Sequence, residues 1–273
     1  MTNGNQGVAV ITGAARGQGR SHAEALARDG YDIIAIDRCA DIDSIPYPLA
    51  TPADLEDTAQ LVKSHGRRVV TAVADVRNLA ELENCIGTGI EQLGELRTVV
   101  ANAGVVAMGK PAPIDEGVFH DILDTNLVGV WHTIAATVPS IIRAGQGGSI
   151  ILISSMQGLV GRGGDGSAAA FAYAASKHGV VGLMRSAANA YAAQNIRVNS
   201  VHPTGVATPM IFNEHMATVF TDNPQLAAMS GNLLPVPFVE AVDVTNVVTF
   251  LASENARYIT GVAMPVDAGH AAM

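Results

Sequence analysis

Short runs of β-branched and aliphatic residues recur along the 273-residue chain and alternate with longer Ala-rich segments. The runs predict strands over 8–12, 32–37, 68–73, 98–101, 149–154, 197–201 and 263–266. The segments between them predict helices over 17–29, 53–65, 79–93, 115–143, 171–193 and 241–253. The strands are apolar at nearly every position, as expected where both faces of a parallel sheet are covered. Strand–helix alternation with right-handed crossovers then gives an α/β, doubly wound (Rossmann) seven-stranded parallel sheet with helices on both faces. There is no internal repeat, low-complexity linker or composition break, so residues 1–273 read as a single domain.

Three stretches break this rhythm. Residues 38–51, RCADIDSIPYPLAT, form a loop inserted after the second strand. It ends where Thr51-Pro52-Ala53-Asp54 signals a helix start, with a hydroxyl N-cap and proline in the first turn. Residues 158–170 make a Gly/Ala-rich connector, and residues 203–237 are rich in Met, Phe, Leu and Asn. Long irregular segments in a compact domain are commonly lids or binding loops. The segment 203–237 is therefore expected to cap a substrate.

Composition narrows the partners. Hydrophobic residues make up 48% and charged residues 15%, which suits one large domain. No apolar stretch reaches the ~20 residues of a membrane helix, and the N-terminus lacks the pattern of a signal peptide. A cytoplasmic protein without membrane contact is expected. The net charge of -9 argues against a nucleic-acid surface. Cys39 and Cys85 form neither a metal spacing nor a disulfide framework, and the eight histidines are scattered. No metal is expected.

The first strand runs into Gly13-Ala14-Ala15-Arg16-Gly17-Gln18-Gly19 and then a helix. Glycines permit a tight turn and close approach to a pyrophosphate, which the helix N-terminus attracts. Asp37 ends the second strand, where an acid binds both adenosine ribose hydroxyls and repels a 2′-phosphate, so NAD is favoured over NADP. Arg16 and Arg38 argue the other way, since both could pair with such a phosphate. Asp75-Val76 closes the third strand, where the Asp can bond an adenine amino group or cap a helix. Asn102-Ala103-Gly104 follows the fourth strand and can line a cofactor with small residues.

Tyr173 and Lys177 stand four residues apart in FAYAASKHGVVGL. On a helix they share one face, and a nearby ammonium favours the phenolate, drawing a tyrosine pKa near ~10 toward neutrality. Taken alone, such a pair is better explained by a packed tyrosine and a solvated lysine.

Together these motifs resemble the short-chain dehydrogenase/reductase family. TGAARGQG, Asp75-Val76, Asn102-Ala103-Gly104, Asn126, Ser155 and Tyr173-x-x-x-Lys177 occur in the family's order from about residue 6 to the C-terminus. More narrowly, the insert IDSIPYPLATPADL, the run NSVHPTGVATPM and the ending ARYITGVAMPVDAG resemble the carveol dehydrogenase, or mycofactocin-coupled, group. The resemblance implies that Tyr173 is the general base of an alcohol oxidation and that Lys177 binds the nicotinamide ribose and lowers the Tyr173 pKa. It implies that Ser155, rather than Ser154, holds the substrate oxygen, and that Asn126 orients a water beside Lys177. It implies that Pro203, Val206 and Thr208 border the nicotinamide carboxamide. The family's usual glycine after Pro203 is Thr204 here, which should alter the loop. The group resemblance also implies tightly held NAD, a mycofactocin-type redox carrier as electron acceptor, and a homotetramer built on helices 115–143 and 171–193.

Met210, Ile211, Phe212, Met216, Phe220 and Met229 suit an apolar pocket for a hydrophobic secondary alcohol or ketone, a carveol-like terpenoid by resemblance. The competing readings are an NADPH-dependent ketoacyl reductase, which Asp37 and the insert oppose, and a non-catalytic nucleotide-binding redox sensor, which the Tyr/Lys pair opposes.

Overall fold

The computed structural model describes residues 4–108, 115–161, 164–229 and 231–273. Seven strands form one parallel sheet: β1 (Val8–Thr12), β2 (Asp32–Asp37), β3 (Val69–Val73), β4 (Leu96–Ala101), β5 (Gly148–Ile153), β6 (Ile196–Pro203) and β7 (Ala263–Val266). Their order is β3-β2-β1-β4-β5-β6-β7. Strand order reverses between β1 and β4, and the crevice at such a switch point is where open parallel sheets bind ligands.

The helices are α1 (Gly17–Arg28), α2 (Pro52–Ser64), α3 (Leu79–Leu93), α4 (Glu116–Leu123), α5 (Gly129–Ala144), α6 (Ala168–Tyr191), α7 (Glu214–Asp222), α8 (Pro224–Met229) and α9 (Ala241–Ala252). Alternate strand positions feed two apolar layers. Val8, Val10, Ile34 and Ile36 face the layer that includes Leu82, Val130, Ile134 and Val180. Ala9, Ile11, Ile33 and Ala35 face the layer that includes Leu26, Leu55, Val244 and Val248. This two-sided burial is why the strands are apolar throughout.

The start of α2 is as the sequence suggests. The Thr51 side chain accepts from the Asp54 amide, and Asp54 accepts from the Thr51 amide, with Pro52 in the first turn. Two expectations need correction. The single helix expected over 115–143 is broken into α4 and α5 by one π-helical turn, Asp124–Val128. Such a bulge re-aims one side chain, here Asn126, into the interior. The segment 203–237 is less irregular than its composition suggests. Asn213 caps α7 by accepting from the Met216 amide, and α8 opens on Pro224. β6 also runs on to Pro203, because β7 pairs along it as far as Pro203–Val266.

The helical stretch Glu116–Ala144 is, by length and composition, apolar enough to cross a bilayer, contrary to the expectation that no segment would be. Its inner residues Ile122, Val130, Ile134 and Ile141 are nevertheless buried in the protein's apolar clusters.

The insert 38–51 carries no regular helix or strand. Ile42, Ile45 and Tyr47 are buried in a third apolar cluster with Val105, Val118, Ile122 and Ala172. The insert is thereby tied to α4, α6 and the chain beyond β4.

Candidate active site

Two adjoining cavities open at the C-terminal ends of the strands. The first lies against the glycine loop. Gly13 and Gly17 take left-handed φ angles of +67° and +56°. A Cβ on Gly13 would sit 2.8 Å from the Ala103 Cα, and one on Gly19 would collide with the Gly13 carbonyl. Only glycine fits these positions. Asn102 straps the loop to β4: its Nδ2 donates to the Thr12 and Gly13 carbonyls, both at 3.1 Å. The Thr12 hydroxyl accepts from the Asn102 and Ala103 amides. A loop with no room for a Cβ at Gly13 or Gly19, with α1 starting directly behind it, fits a dinucleotide pyrophosphate.

Asp37 stands at the rim of this cavity. Its two oxygens accept from the Ala15 amide at 3.0 Å and the Cys39 amide at 3.1 Å. The two arginines expected to offer themselves to a 2′-phosphate already have partners. Arg16 donates to the Pro48 carbonyl at 2.8 Å. Arg38 donates to Asp75 at 2.5 Å and to the Asp41 carbonyl at 3.0 Å. Asp75 also accepts from the Arg77 backbone and guanidinium, and Arg77 reaches on to Asp121. Burial opposes ionisation of Asp75, but the Arg77 hydrogen bonds and the two guanidinium charges outweigh it and hold the carboxyl below its usual range. The helix cap offered as an alternative role for Asp75 belongs instead to Asn78. Val76 packs on Gly129, whose missing Cβ leaves it room.

Tyr47, at the tip of the insert, also lines this cavity, and its hydroxyl accepts from the Val106 amide at 3.2 Å. Burial pushes its phenol up to about 12, only partly opposed by that bond. The immediately preceding residue, Val105, is held at both backbone groups by Asn126: Oδ1 accepts from its amide and Nδ2 donates to its carbonyl, each at 2.8 Å. Asn126 and Tyr47 together fix the wall between the two cavities.

The second cavity is walled by Val106, Met156, Met210, Ile211, Met216, Phe220 and Phe238, with Ser155 and Tyr173 on one side. Phe212 packs edge-on against Phe238 and is otherwise largely exposed. The Met229 side chain lies outside the described residues. Ser155 faces Tyr173 and hydrogen-bonds it. Ser154 turns the other way, and its hydroxyl donates to the Lys177 carbonyl at 2.9 Å. The Lys177 amine donates to the Ile153 carbonyl at 3.0 Å and lies 5.6 Å from the centre of the Tyr173 ring. Burial lowers the Lys177 ammonium to about 8. Burial also raises the Tyr173 phenol above its ordinary value, opposed by the Ser155 hydrogen bond, and the expected lowering by Lys177 is not seen in this arrangement.

The sites named from sequence therefore fall into three places. Gly13, Arg16, Gly17, Gln18, Asp37, Arg38, Asp75, Val76 and the Asn102-Ala103-Gly104 turn border the first cavity. Ser155, Tyr173, Pro203 and Val206 border the second, and Gln18 and Thr208 border both. Gly19, Asn126 and Lys177 stand behind the walls. Thr204 fits without a left-handed backbone. Its amide donates to the Val266 carbonyl and its hydroxyl to Asn232 at 2.8 Å.

Two residues escaped the sequence reading. Tyr47 lies between two prolines in the insert, an aromatic where a solvated loop would need none. His202 is fully buried beneath Ser155, bonding the Ser155 carbonyl through Nδ1 and the Ser200 hydroxyl through Nε2, each at 2.8 Å. With a carbonyl on Nδ1, that nitrogen must carry the proton, and burial lowers the imidazole's pKa and so favours the neutral ring, whose Nε2 accepts from Ser200. A histidine directly before the proline that ends β6 was the available signal.

Residues 7–217 match the model of the short chain dehydrogenase family. The chain is 47% identical over 271 residues to the (-)-trans-carveol dehydrogenase of Rhodococcus erythropolis, covering 96% of each. It is 52% identical over 263 residues to an uncharacterised oxidoreductase of Mycobacterium tuberculosis, covering 96% of this chain and 95% of the other. The solved structure of carveol dehydrogenase from Mycobacterium avium in complex with NAD superposes with a TM-score of 0.92 at 46% identity, covering 98% of this chain and 99% of that one. With the glycine cradle, the Tyr173–Ser155 contact and the buried lysine in one parallel-sheet crevice, the chain belongs to the short chain dehydrogenase family and is an oxidoreductase.

Proposed function

We propose that the protein interconverts a hydrophobic secondary alcohol, carveol-like in shape, and its ketone, using NAD. The observation that carries this reading is the Tyr173–Ser155 contact at the wall of a cavity otherwise lined by methionine, phenylalanine and aliphatic side chains. NAD, when bound, supplies the hydride acceptor. The glycine loop and Asp37 would hold it, with Val206 and Thr208 at the carboxamide end. Ser155 holds the alcohol oxygen. Tyr173 removes the hydroxyl proton as general base, and Lys177, one helical turn on, stabilises the phenolate. Asn126 keeps the Val105 backbone in place and orients a water beside Lys177 that carries the proton onward. Apolar walls exclude other water and strengthen these interactions.

Asp37 faces the first cavity with both oxygens fixed, and Arg16 and Arg38 are engaged elsewhere, which supports NAD over NADP and weakens the ketoacyl reductase reading. The packed insert supports slow nucleotide exchange, with electrons passed to a mycofactocin-type carrier. Exposed Trp131, Ile142 and Phe171 on α5 and α6 support a homotetramer. The test is turnover of carveol and related alcohols with NAD, NADP and an artificial electron acceptor, alongside Tyr173→Phe. Loss of turnover with retained nucleotide binding in that variant supports the assignment; full turnover refutes it.

A further inference from the structure

α7 forms one side of the second cavity. Its Met216 and Phe220 line that cavity, with Met210 and Ile211 just ahead of the helix. Met216 and Val219 are buried, while Glu214, Ala217 and Thr218 face outward. His215 stands in the first turn and is half-buried beside the inward face. Helix N-termini favour anions, and histidine has only middling helix propensity, so the turn itself does not call for this residue.

His215 instead reaches across the cavity wall. Its Nε2 lies 2.6 Å from the carbonyl of Met108, 107 residues earlier in the chain. A carbonyl only accepts, so Nε2 carries the proton and donates. Met108 lines the same cavity from the chain beyond β4. That strip is held in place: Asn126 binds both backbone groups of Val105, and the Tyr47 hydroxyl accepts from the Val106 amide. The start of α7 is fixed as well, because Asn213 caps it and donates to the Pro209 and Met210 carbonyls. The His215 hydrogen bond therefore joins a fixed strip to the helix that carries Met216 and Phe220.

We propose that His215 is a positioning residue that latches α7 to Met108 and so sets the width of the substrate cavity, admitting small alicyclic alcohols and disfavouring those bulky enough to force the two walls apart. This rests on the alcohol dehydrogenase reading above. His215 acts through the apolar side chains that follow it on the helix. A bulky alcohol must break the latch to enter, whereas a small one leaves it closed.

The test compares the wild type with His215→Phe, which keeps a ring but no donor, and His215→Gln, whose amide nitrogen can take the place of Nε2. For each protein, kcat/KM is measured with NAD for cyclohexanol and for the bicyclic 2-decalol. Amide hydrogen exchange of α7 is followed in parallel, and melting temperatures confirm folding. His215→Phe should raise the ratio of kcat/KM for 2-decalol over cyclohexanol by about five-fold, since one hydrogen bond no longer opposes opening. The α7 amides should exchange about five-fold faster in that variant. His215→Gln should return both quantities toward wild type. An unchanged ratio, including equal loss of kcat/KM for both alcohols, overturns the size limit. Exchange of α7 as slow as in wild type overturns the latch. A wild-type protein that oxidises neither alcohol removes the dehydrogenase reading and the size limit together, and the exchange of α7 then decides the latch by itself.

Discussion

Arg38 and Asp75 form an ion pair of 2.5 Å that crosses the edge of the first cavity from the end of β2 to the end of β3. Asp75 thereby occupies the one guanidinium that directly follows Asp37. Arg38 can turn to a 2′-phosphate only if Asp75 gives it up. Replacing Asp37 with Ala alone should raise the NADP:NAD ratio of kcat/KM modestly, by relief of repulsion. Adding Asp75→Asn should raise it by a further factor of about ten to a hundred, the worth of one charge-assisted hydrogen bond. Steady-state kinetics of both variants with both nucleotides would check this. Equal ratios in the single and double variants would show that Arg38 does not reach the phosphate.

Lys177 is buried with its amine on the Ile153 carbonyl, and its folded pKa falls from 10.5 to about 8. The lowered value means that the unfolded chain binds the extra proton more readily. Stability contributed by this group is present above 10.5, is lost as pH falls through about 8, and is fully absent below that. The interval corresponds to on the order of 3 kcal/mol at neutral pH. Lys177→Met should therefore abolish turnover yet raise the melting temperature by a few degrees, since an unpaired Ile153 carbonyl offsets only part of the gain, about 1–3 kcal/mol. It should also flatten the rise of stability between pH 8 and 10. Thermal melts across that range would reveal a lower melting temperature if the lysine were instead a net stabiliser.

The sheet was legible because its strands are apolar on both faces and glycine punctuates the first turn. Val8–Thr12, Asp32–Asp37 and Ala263–Val266 lie where the pattern puts them. The break at Asp124–Val128 was not legible, because a π-turn leaves the apolar period on either side nearly intact. α7 and α8 were hidden by their shortness and by composition that suits either helix or loop. The cavity-lining residues followed from motif order, but their partners did not. Nothing in the spacing shows that Arg16 binds Pro48, that Arg38 binds Asp75, or that Tyr47 reaches Val106 across 59 residues. Those are tertiary contacts between segments whose relative placement no local period encodes.

Beside the Arg38–Asp75 pair and a Ser44–Asp121 hydrogen bond, the insert is anchored by Tyr47 on the Val106 amide and by Arg16 on the Pro48 carbonyl. Tyr47→Phe removes one hydroxyl and leaves the Val106 amide without that acceptor, a cost of about 1–3 kcal/mol. If part of that cost falls on the closed arrangement, bound nucleotide should dissociate about ten-fold faster in Tyr47→Phe, and faster again with Arg16→Ala. Displacement of bound NAD by a labelled excess measures this directly. Unchanged dissociation in the double variant would mean that these two contacts do not retain the nucleotide.

Ser154 and Ser155 are neighbours with opposite environments. The Ser154 hydroxyl is buried on the Lys177 carbonyl, where its loss removes a hydrogen bond and loosens the contact between β5 and α6. Ser155 faces Tyr173 in the second cavity, and its backbone carbonyl is held from below by His202. Ser154→Ala should thus lose about 1 kcal/mol of stability while keeping most of its kcat. Ser155→Ala should melt close to wild type but lose about a hundred-fold or more in kcat, as when one donor to a developing oxyanion is removed. His202→Leu should behave as a milder Ser155 variant, with kcat falling and KM nearly unchanged. His202→Asn, whose amide nitrogen can take the place of Nδ1, should recover much of the loss. The four variants compared by kcat, KM and melting temperature separate the roles. Equal kcat losses from the two serines would show that the cavity reads their shared backbone turn and not the Ser155 hydroxyl.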